Sequence, residues 1–349
     1  MVRMSPRQSD PIARLSAGML LAGIVLLGQG ASLDPTVQKI VAEVSPDRVA
    51  ATVDTLASFE TRGNYSDPNQ KKRGIGAARR WISTQFRGYS PRLRVSDEVG
   101  QWKSTDIVNI VAVLTGTTQP EKRILVLAHY DSINHSASGS KAAEAPAPGA
   151  DDDASGTAVV LELARVMSQY HFRKTIVFIA FAGEEIGLVG STQYAAAAKA
   201  NNEQIEAVFN NDVVGANLLG KTHSVFGVEE DSADPDGDTG NMLNVYSTDA
   251  PKAPSHRLAQ DFLGIAQRYV PQLRIQMVSG TDRFGREGDQ LSFQRNGFAA
   301  VRLTSASENT VVHHTVRDTP DGTSASFIAD VARVNAAAVA SLAVPASTR

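Results

Sequence analysis

The stretch KTIVFIAFAGEEIGL, Lys174 to Leu188, decides how the chain is read. Lys174–Ala182 is a nearly unbroken run of apolar, β-branched and aromatic residues. That is the composition of a strand buried on both faces, and such strands belong to parallel sheets covered by helices. The run ends in Gly-Glu-Glu, so a strand delivers two carboxylates to its carboxyl end. Upstream, Arg123–His129 (RILVLAH) has the same character and runs directly into HYDS at 129–132. Between the two strands lie the acidic turn PGADDDASG (148–156) and a helical pattern over 154–170, with Val160, Leu161, Leu163, Ala164 and Met167 facing the core.

The flanking chain extends this alternation. Apolar spacing predicts helices across 35–59, broken at Pro46, and over 75–86; a strand is predicted at 106–114. Further strands are expected at 207–211, 243–247, 274–278 and 299–304, and helices at 254–270 and 327–342. Alternating strands and helices imply an α/β fold: three αβα layers around a central, mostly parallel mixed sheet. No repeat or linker divides the chain, so residues 33–349 are expected to form one domain, with 215–240 as its main irregular insertion.

The 349 residues include no cysteine, which excludes disulfides, thiolate metal sites and thiol nucleophiles. Arg3, Arg7 and Arg14 precede the uncharged run LSAGMLLAGIVLL (15–27) and the small-residue segment GQGAS. This is the order of a secretory signal, assigned to residues 1–32, and it implies a secreted or periplasmic protein with no stable membrane span after its removal. Taking away residues 1–30 removes three arginines and one aspartate and moves the formal charge from −3 to −5. The chain has no basic run, and nucleic-acid binding is not expected.

The chemistry collects where strands end. His129 closes one strand, Glu184 and Glu185 follow another, Asp212 follows a third, and His314 lies shortly after a fourth. Open α/β sheets place their sites at the carboxyl ends of strands. Imidazole and carboxylate donors without thiolates suit catalytic zinc, and are compatible with manganese or cobalt. The donors exceed what one zinc takes, and a shared carboxylate allows two ions.

Taken together, HYDS, PGADDDASG, AGEEIGL, NND (210–212) and HHTVRDTP (313–320) resemble the zinc-dependent exopeptidases of metallopeptidase family twenty-eight, the bacterial leucyl aminopeptidases among them. The resemblance spans about residues 35–345 and implies that family's zinc-exopeptidase fold and two zinc ions per chain. It implies that His129 and Asp212 bind one ion, Glu185 and His314 the other, and that Asp152 bridges both ahead of a cis peptide bond to Asp153. Glu184 takes the place of the general base, and Asp131 that of the carboxylate orienting the His129 ring. In the segment GREGDQLSF (285–293), Asp289 matches the family but Gln290 stands where a histidine is common. The tyrosine that assists the oxyanion in some members has no counterpart, and Arg283 or Arg286 are the candidates to replace it, with Asp289 as a further substrate contact.

His314 is preferred to His313 as the ligand because the H-T-x-x-D-T pattern starts there. Asp151 and Asp153 read as turn and capping residues. His135, His171, His223 and His256 carry no motif. The acidic loop 231–240 fails the EF-hand template, with Thr239 at its sixth position. The function expected is an aminopeptidase acting on peptides with a free N-terminus. The alternatives are a carboxypeptidase or dipeptidase, a single-zinc glutaminyl-cyclase-like enzyme, and a non-catalytic receptor-like domain.

Overall fold

A computed structural model describes residues 32–215, 241–248, 250–280 and 288–346. Its compact unit begins at Leu33. The helices α1 (Pro35–Ala42) and α2 (Pro46–Ala57) are separated at Pro46, as the sequence predicts. Each starts on a capping side chain: Asp34 accepts from Thr36 and Val37, and Ser45 from Arg48. Proline at the first helical position of both needs no N–H there. α3 (Gly74–Tyr89) follows.

The sheet has eight strands: β1 (Leu93–Trp102), β2 (Thr105–Leu114), β3 (Gln119–His129), β4 (Lys174–Phe181), β5 (Gln204–Asn211), β6 (Met242–Ser247), β7 (Arg274–Ser279) and β8 (Ala300–Ser305), in the order β1-β2-β4-β3-β5-β8-β6-β7. β4, β3, β5 and β8 are adjacent and mutually parallel, and β6–β7 is a second parallel pair. The pairs β1–β2, β2–β4 and β6–β8 are antiparallel. The expected mixed, mostly parallel sheet is therefore present.

Strand β1 had no signal in the sequence. Most of its residues are exposed on both faces, so LRVSDEVGQW lacks the apolar alternation that marks a half-buried strand. Ten paired positions with β2 hold it in place as an edge.

Alternate residues of the central strands serve different layers. Ile124, Val126 and Ala128 of β3 face the larger core, shared with α4 (Gly156–Met167), α6 (Pro254–Tyr269) and α8 (Ala325–Ala343). Leu125 and Leu127 face the other way, toward a smaller cluster with Ala195 and Ala198 of α5 (Val189–Ala200) and Phe293 of α7 (Gln290–Arg295). Period-two alternation thus gives each strand two buried faces, and the three layers follow. α8 is apolar and long enough to cross a membrane by composition alone, yet Phe327, Ile328, Val331, Val334 and Val339 are all buried in this core.

Candidate metal centre

The candidate ligands gather at the carboxyl ends of the four adjacent parallel strands. His129 is the last residue of β3, Asp212 follows β5 directly, and Glu184 and Glu185 lie just beyond β4. His314 comes from the loop after β8. Asp152 enters from the wide helical turn 150–155 that precedes α4.

Asp152 presents its two oxygens to two different imidazoles. Oδ1 lies 3.2 Å from Nε2 of His129, and Oδ2 lies 3.0 Å from Nε2 of His314. The same His314 nitrogen is 3.2 Å from Oε2 of Glu185, while His129 Nε2 is 3.9 Å from Oδ1 of Asp212. The sequence-expected residues therefore form two groups sharing Asp152. Ligand atoms of His129, Glu184 and Asp212, and of His129, Asp152 and Glu185, lie within 4.8 Å of one another.

Neighbouring carboxylates hold the turn that carries Asp152. The Asp318 oxygens accept the N–H of Asp151 (2.8 Å) and of Asp152 (3.0 Å). Asp153 accepts from the N–H groups of His129 (3.2 Å), Gly156 (2.9 Å) and Val213 (3.2 Å), joining the ends of β3 and β5 to the start of α4. Asp151 accepts from Gly215 N at 2.7 Å and faces Nε2 of buried His313 at 3.3 Å. The capping role expected for Asp151 and Asp153 fits this, and the Asp152–Asp153 peptide bond is cis, as the resemblance implied. Gly156 is required by close approach: a Cβ there would lie 2.2 Å from the carbonyl oxygen of Asn211.

Asp131 does more than face the His129 ring. Its Oδ1 is 3.6 Å from Nδ1, and its own carbonyl oxygen is closer, at 3.2 Å. The carboxylate also accepts the N–H groups of Glu184 (3.3 Å) and Glu185 (3.2 Å) and the side-chain amide of Asn64 (2.6 Å). It thus locks the Glu-Glu segment to the HYDS strand end. Beneath it, Arg62 is completely buried and donates to the carbonyls of Leu56, Tyr130, Pro148 and Gly149. One guanidinium, with its fan of donors, staples the loop after β3 to the PGADDD turn.

The electrostatics describe a pocket short of positive charge. Burial, with Asp212 and Glu185 close by, holds the Glu184 carboxyl well above the usual range, although His129 opposes this. Burial together with Asp152 pushes Glu185 up to about 7. Burial lowers the two imidazoles, but their carboxylate neighbours outweigh it: His129 is raised well above its ordinary value and His314 to about 11. Glu185 Oε1 is buried without a hydrogen-bond partner. Crowded carboxylates, imidazole nitrogens turned toward them and an orphaned carboxylate oxygen are what a divalent cation would satisfy, so the donor set fits zinc.

A cavity of about 260 Å³ opens onto this cluster, lined by His129, Asp152, Glu184, Glu185, Asp212 and His314, with His135, Gly187, Leu188 and Arg302. A larger cavity of about 460 Å³ sits beside Asn64, Arg79 and Tyr130, and shares none of the ligand residues. The smaller one, opening onto the donor cluster, is the candidate site.

The remaining expectations fare differently. Asp289 is fully buried and does not line the cavity, and burial pushes its carboxyl up to about 7. Its charge is near enough to raise the Glu184 carboxyl further. Gln290, in place of the histidine, accepts from the side-chain amide of Asn210 at 3.0 Å. Arg283, Arg286 and the acidic loop 231–240 lie outside the described residues. Sequence reasoning missed Arg62, Asn64, His135, Arg302 and the part played by Asp318. Arg302 alone left a signal: it is a charged residue inside the buried strand β8, where it donates to Asp212 Oδ1 at 3.0 Å. Arg62 and Asn64 sit in a polar, turn-rich stretch that reads like any solvated loop.

Comparison with known proteins gives the family and the fold. The sequence pattern of Peptidase family M28 matches residues 109–339. A probable zinc metalloprotease of Pyrenophora teres f. teres (strain 0-1) is 32% identical over 90% of this chain and 70% of its own length. One from Pyricularia oryzae is 34% identical over 89% of this chain. The chain spans 66% of that second relative's length. Among solved structures, the LapA aminopeptidase of Legionella pneumophila superposes with a TM-score of 0.67 at 20% identity, covering 88% of this chain and 74% of that one. The glutaminyl cyclase of Porphyromonas gingivalis reaches 0.64 at 19% identity, covering 86% and 99%. Identities this low show a shared fold and leave activity to be argued from the site.

Proposed function

Because the chain belongs to peptidase family M28, we propose that it is a zinc metallopeptidase that removes amino-terminal residues from peptides at a two-zinc centre. The observation that carries this reading is the bifacial placement of Asp152, with one carboxylate oxygen toward His129 and the other toward His314. His129 and Asp212 would hold one ion, Glu185 and His314 the other, and Asp152 would bridge them. Bound zinc supplies Lewis acidity toward the scissile carbonyl and acidifies water.

The protein's own residues supply the rest. Glu184 lies within the cluster of ligand atoms and lines the cavity. As general base it would take a proton from the attacking water and pass it to the leaving amine. Asp131 holds Glu184 and Glu185 by their backbone N–H groups, so base and ligand keep a constant spacing. Leu188 and Gly187 give the cavity its apolar wall, next to the carboxylates that would receive the substrate's free ammonium group.

A second reading is a cyclase using a single zinc, since a glutaminyl cyclase has a comparable fold among the solved structures. Against it stand His129 and Asp212, whose Nε2 and Oδ1 face each other at 3.9 Å beside the group formed by Asp152, Glu185 and His314. The reading also includes export, with residues 1–32 as the signal; the N-terminal sequence of protein recovered from periplasm or medium tests it.

The deciding experiment compares aminoacyl-anilides with free and blocked N-termini, and peptides with free C-termini, before and after chelation. Hydrolysis confined to free N-termini and lost on chelation is expected. Equal rates on N-blocked substrates would sink the aminopeptidase reading in favour of a carboxypeptidase or dipeptidase. One tight zinc per chain with glutaminyl cyclisation would favour the cyclase. No turnover of any substrate by zinc-loaded protein would leave a binding domain.

A further inference from the structure

His135 meets His314 at the rim of the cavity. Their rings are 4.4 Å apart between centroids, inclined at 69°, and Nδ1 of one lies 3.2 Å from Nδ1 of the other. The backbone N–H of His135 also donates to the carbonyl of His314 at 2.9 Å. His314 has φ 54°, in the left-handed region that residues other than glycine uncommonly adopt. Two contacts from one residue therefore secure an unusual backbone and the ring it carries.

We propose that His135 is a positioning residue that sets the tautomer and orientation of His314. The inference rests on the reading of His314 as a zinc ligand. Nε2 of His314 faces Asp152 and Glu185, so Nε2 is the ligand atom and must offer its lone pair. A neutral imidazole carries one proton, which then sits on Nδ1. Nδ1 points at Nδ1 of His135, which accepts the hydrogen bond, and the His135 proton is thereby placed on its own Nε2. The N–H···N bond fixes the ring about its side-chain torsions, and the backbone bond fixes the turn from which it projects.

The two imidazoles of the centre are supported unequally. His129 has carbonyl and carboxylate oxygens of Asp131 near its Nδ1. His314 has a neutral ring, on a residue exposed at the rim. Oxygen acceptors, carboxylates above all, polarise a metal-bound histidine and raise its basicity more than an imidazole does. The His314 side of the centre is accordingly the one whose zinc affinity depends on a replaceable surface residue.

The test is a zinc titration of chelator-stripped protein against a chromophoric competitor, for wild type, His135→Phe and His135→Gln. Two zinc ions are expected in the wild type. His135→Phe should weaken one of them by about 10–100-fold and leave the other unchanged. His135→Gln should recover most of that loss, because its amide oxygen can accept from Nδ1–H. A merely structural role would lower the thermal midpoint of the stripped protein without separating the two sites. Nitrogen NMR of the zinc-loaded wild type should find the His135 proton on Nε2 and the His314 proton on Nδ1. Equal zinc affinities in His135→Phe and wild type, or a His135 proton on Nδ1, would overturn the proposal. A wild type that takes up no zinc overturns instead the functional reading on which it rests.

Discussion

Nη2 of Arg302 donates to Oδ1 of Asp212 at 3.0 Å, joining a buried arginine of β8 to the carboxylate that follows β5. Both side chains are almost fully enclosed. Removing one partner of such a pair leaves a charge stranded, at a cost of about 3–5 kcal/mol. Arg302→Met should therefore destabilise the metal-free protein by roughly that amount in urea unfolding. Saturating zinc should restore part of the loss, because a cation bound by the folded state then stands beside Asp212. Equal destabilisation with and without zinc would argue against Asp212 as a ligand.

Arg62 donates to four backbone carbonyls, one in the last turn of α2 and three in loops distant in sequence. Arg62→Met would leave buried carbonyls unpaired, each costing about 1–3 kcal/mol. A loss of about 3 kcal/mol or more is expected, and Arg62→Lys should not restore it, since an ammonium cannot reproduce the planar fork. Thermal and denaturant unfolding of both variants check this.

The two adjacent glutamates should separate cleanly. Glu184→Gln should lower kcat by about 10²–10⁴-fold with zinc content unchanged. Glu185→Gln should lose zinc, since Glu185 Oε2 lies beside His314 Nε2. Metal analysis alongside kinetics reads both; full activity in Glu184→Gln would refute its role as base.

Asp131→Asn keeps the shape but replaces one acceptor oxygen with a donor, facing N–H groups of Glu184 and Glu185. About 10–100-fold loss in kcat/KM or zinc affinity is expected, the usual effect of disturbing groups that support metal ligands. Asn64→Leu, which removes only the amide donor to Asp131, should have a smaller effect on the same measurements.

Away from the site, Glu206 titrates below its ordinary value: burial raises it, but Lys174 and Lys122 outweigh burial. A depressed carboxyl contributes stability above its unfolded-state value, about 4.3, and loses it as pH falls through the folded value. Glu206→Gln should therefore be less stable than wild type at pH 7, and the two should converge in acid, below the folded-state value of Glu206. The difference at pH 7 should shrink with added salt, because the group is part-exposed.

The amino-acid sequence by itself determined the central architecture and the chemistry. The buried strands around 124–128 and 175–182 declare themselves through composition, because both faces must be apolar. His129, Glu184, Glu185 and Asp212 declare themselves by standing at or just after strand ends, since strand direction is a local property. What only the tertiary structure decided is which groups meet. Edge strand β1 is held by its ladder to β2 and carries no burial pattern to read. Arg62, Asn64, His135 and Asp318 look like solvated loop residues until the loops close over one another. Their roles are set by hydrogen bonds between segments far apart in the chain, which local spacing cannot encode. The bridging position of Asp152 is of the same kind: His129 and His314 are 185 residues apart in sequence, and only the parallel order of β4, β3, β5 and β8 brings both to one carboxylate.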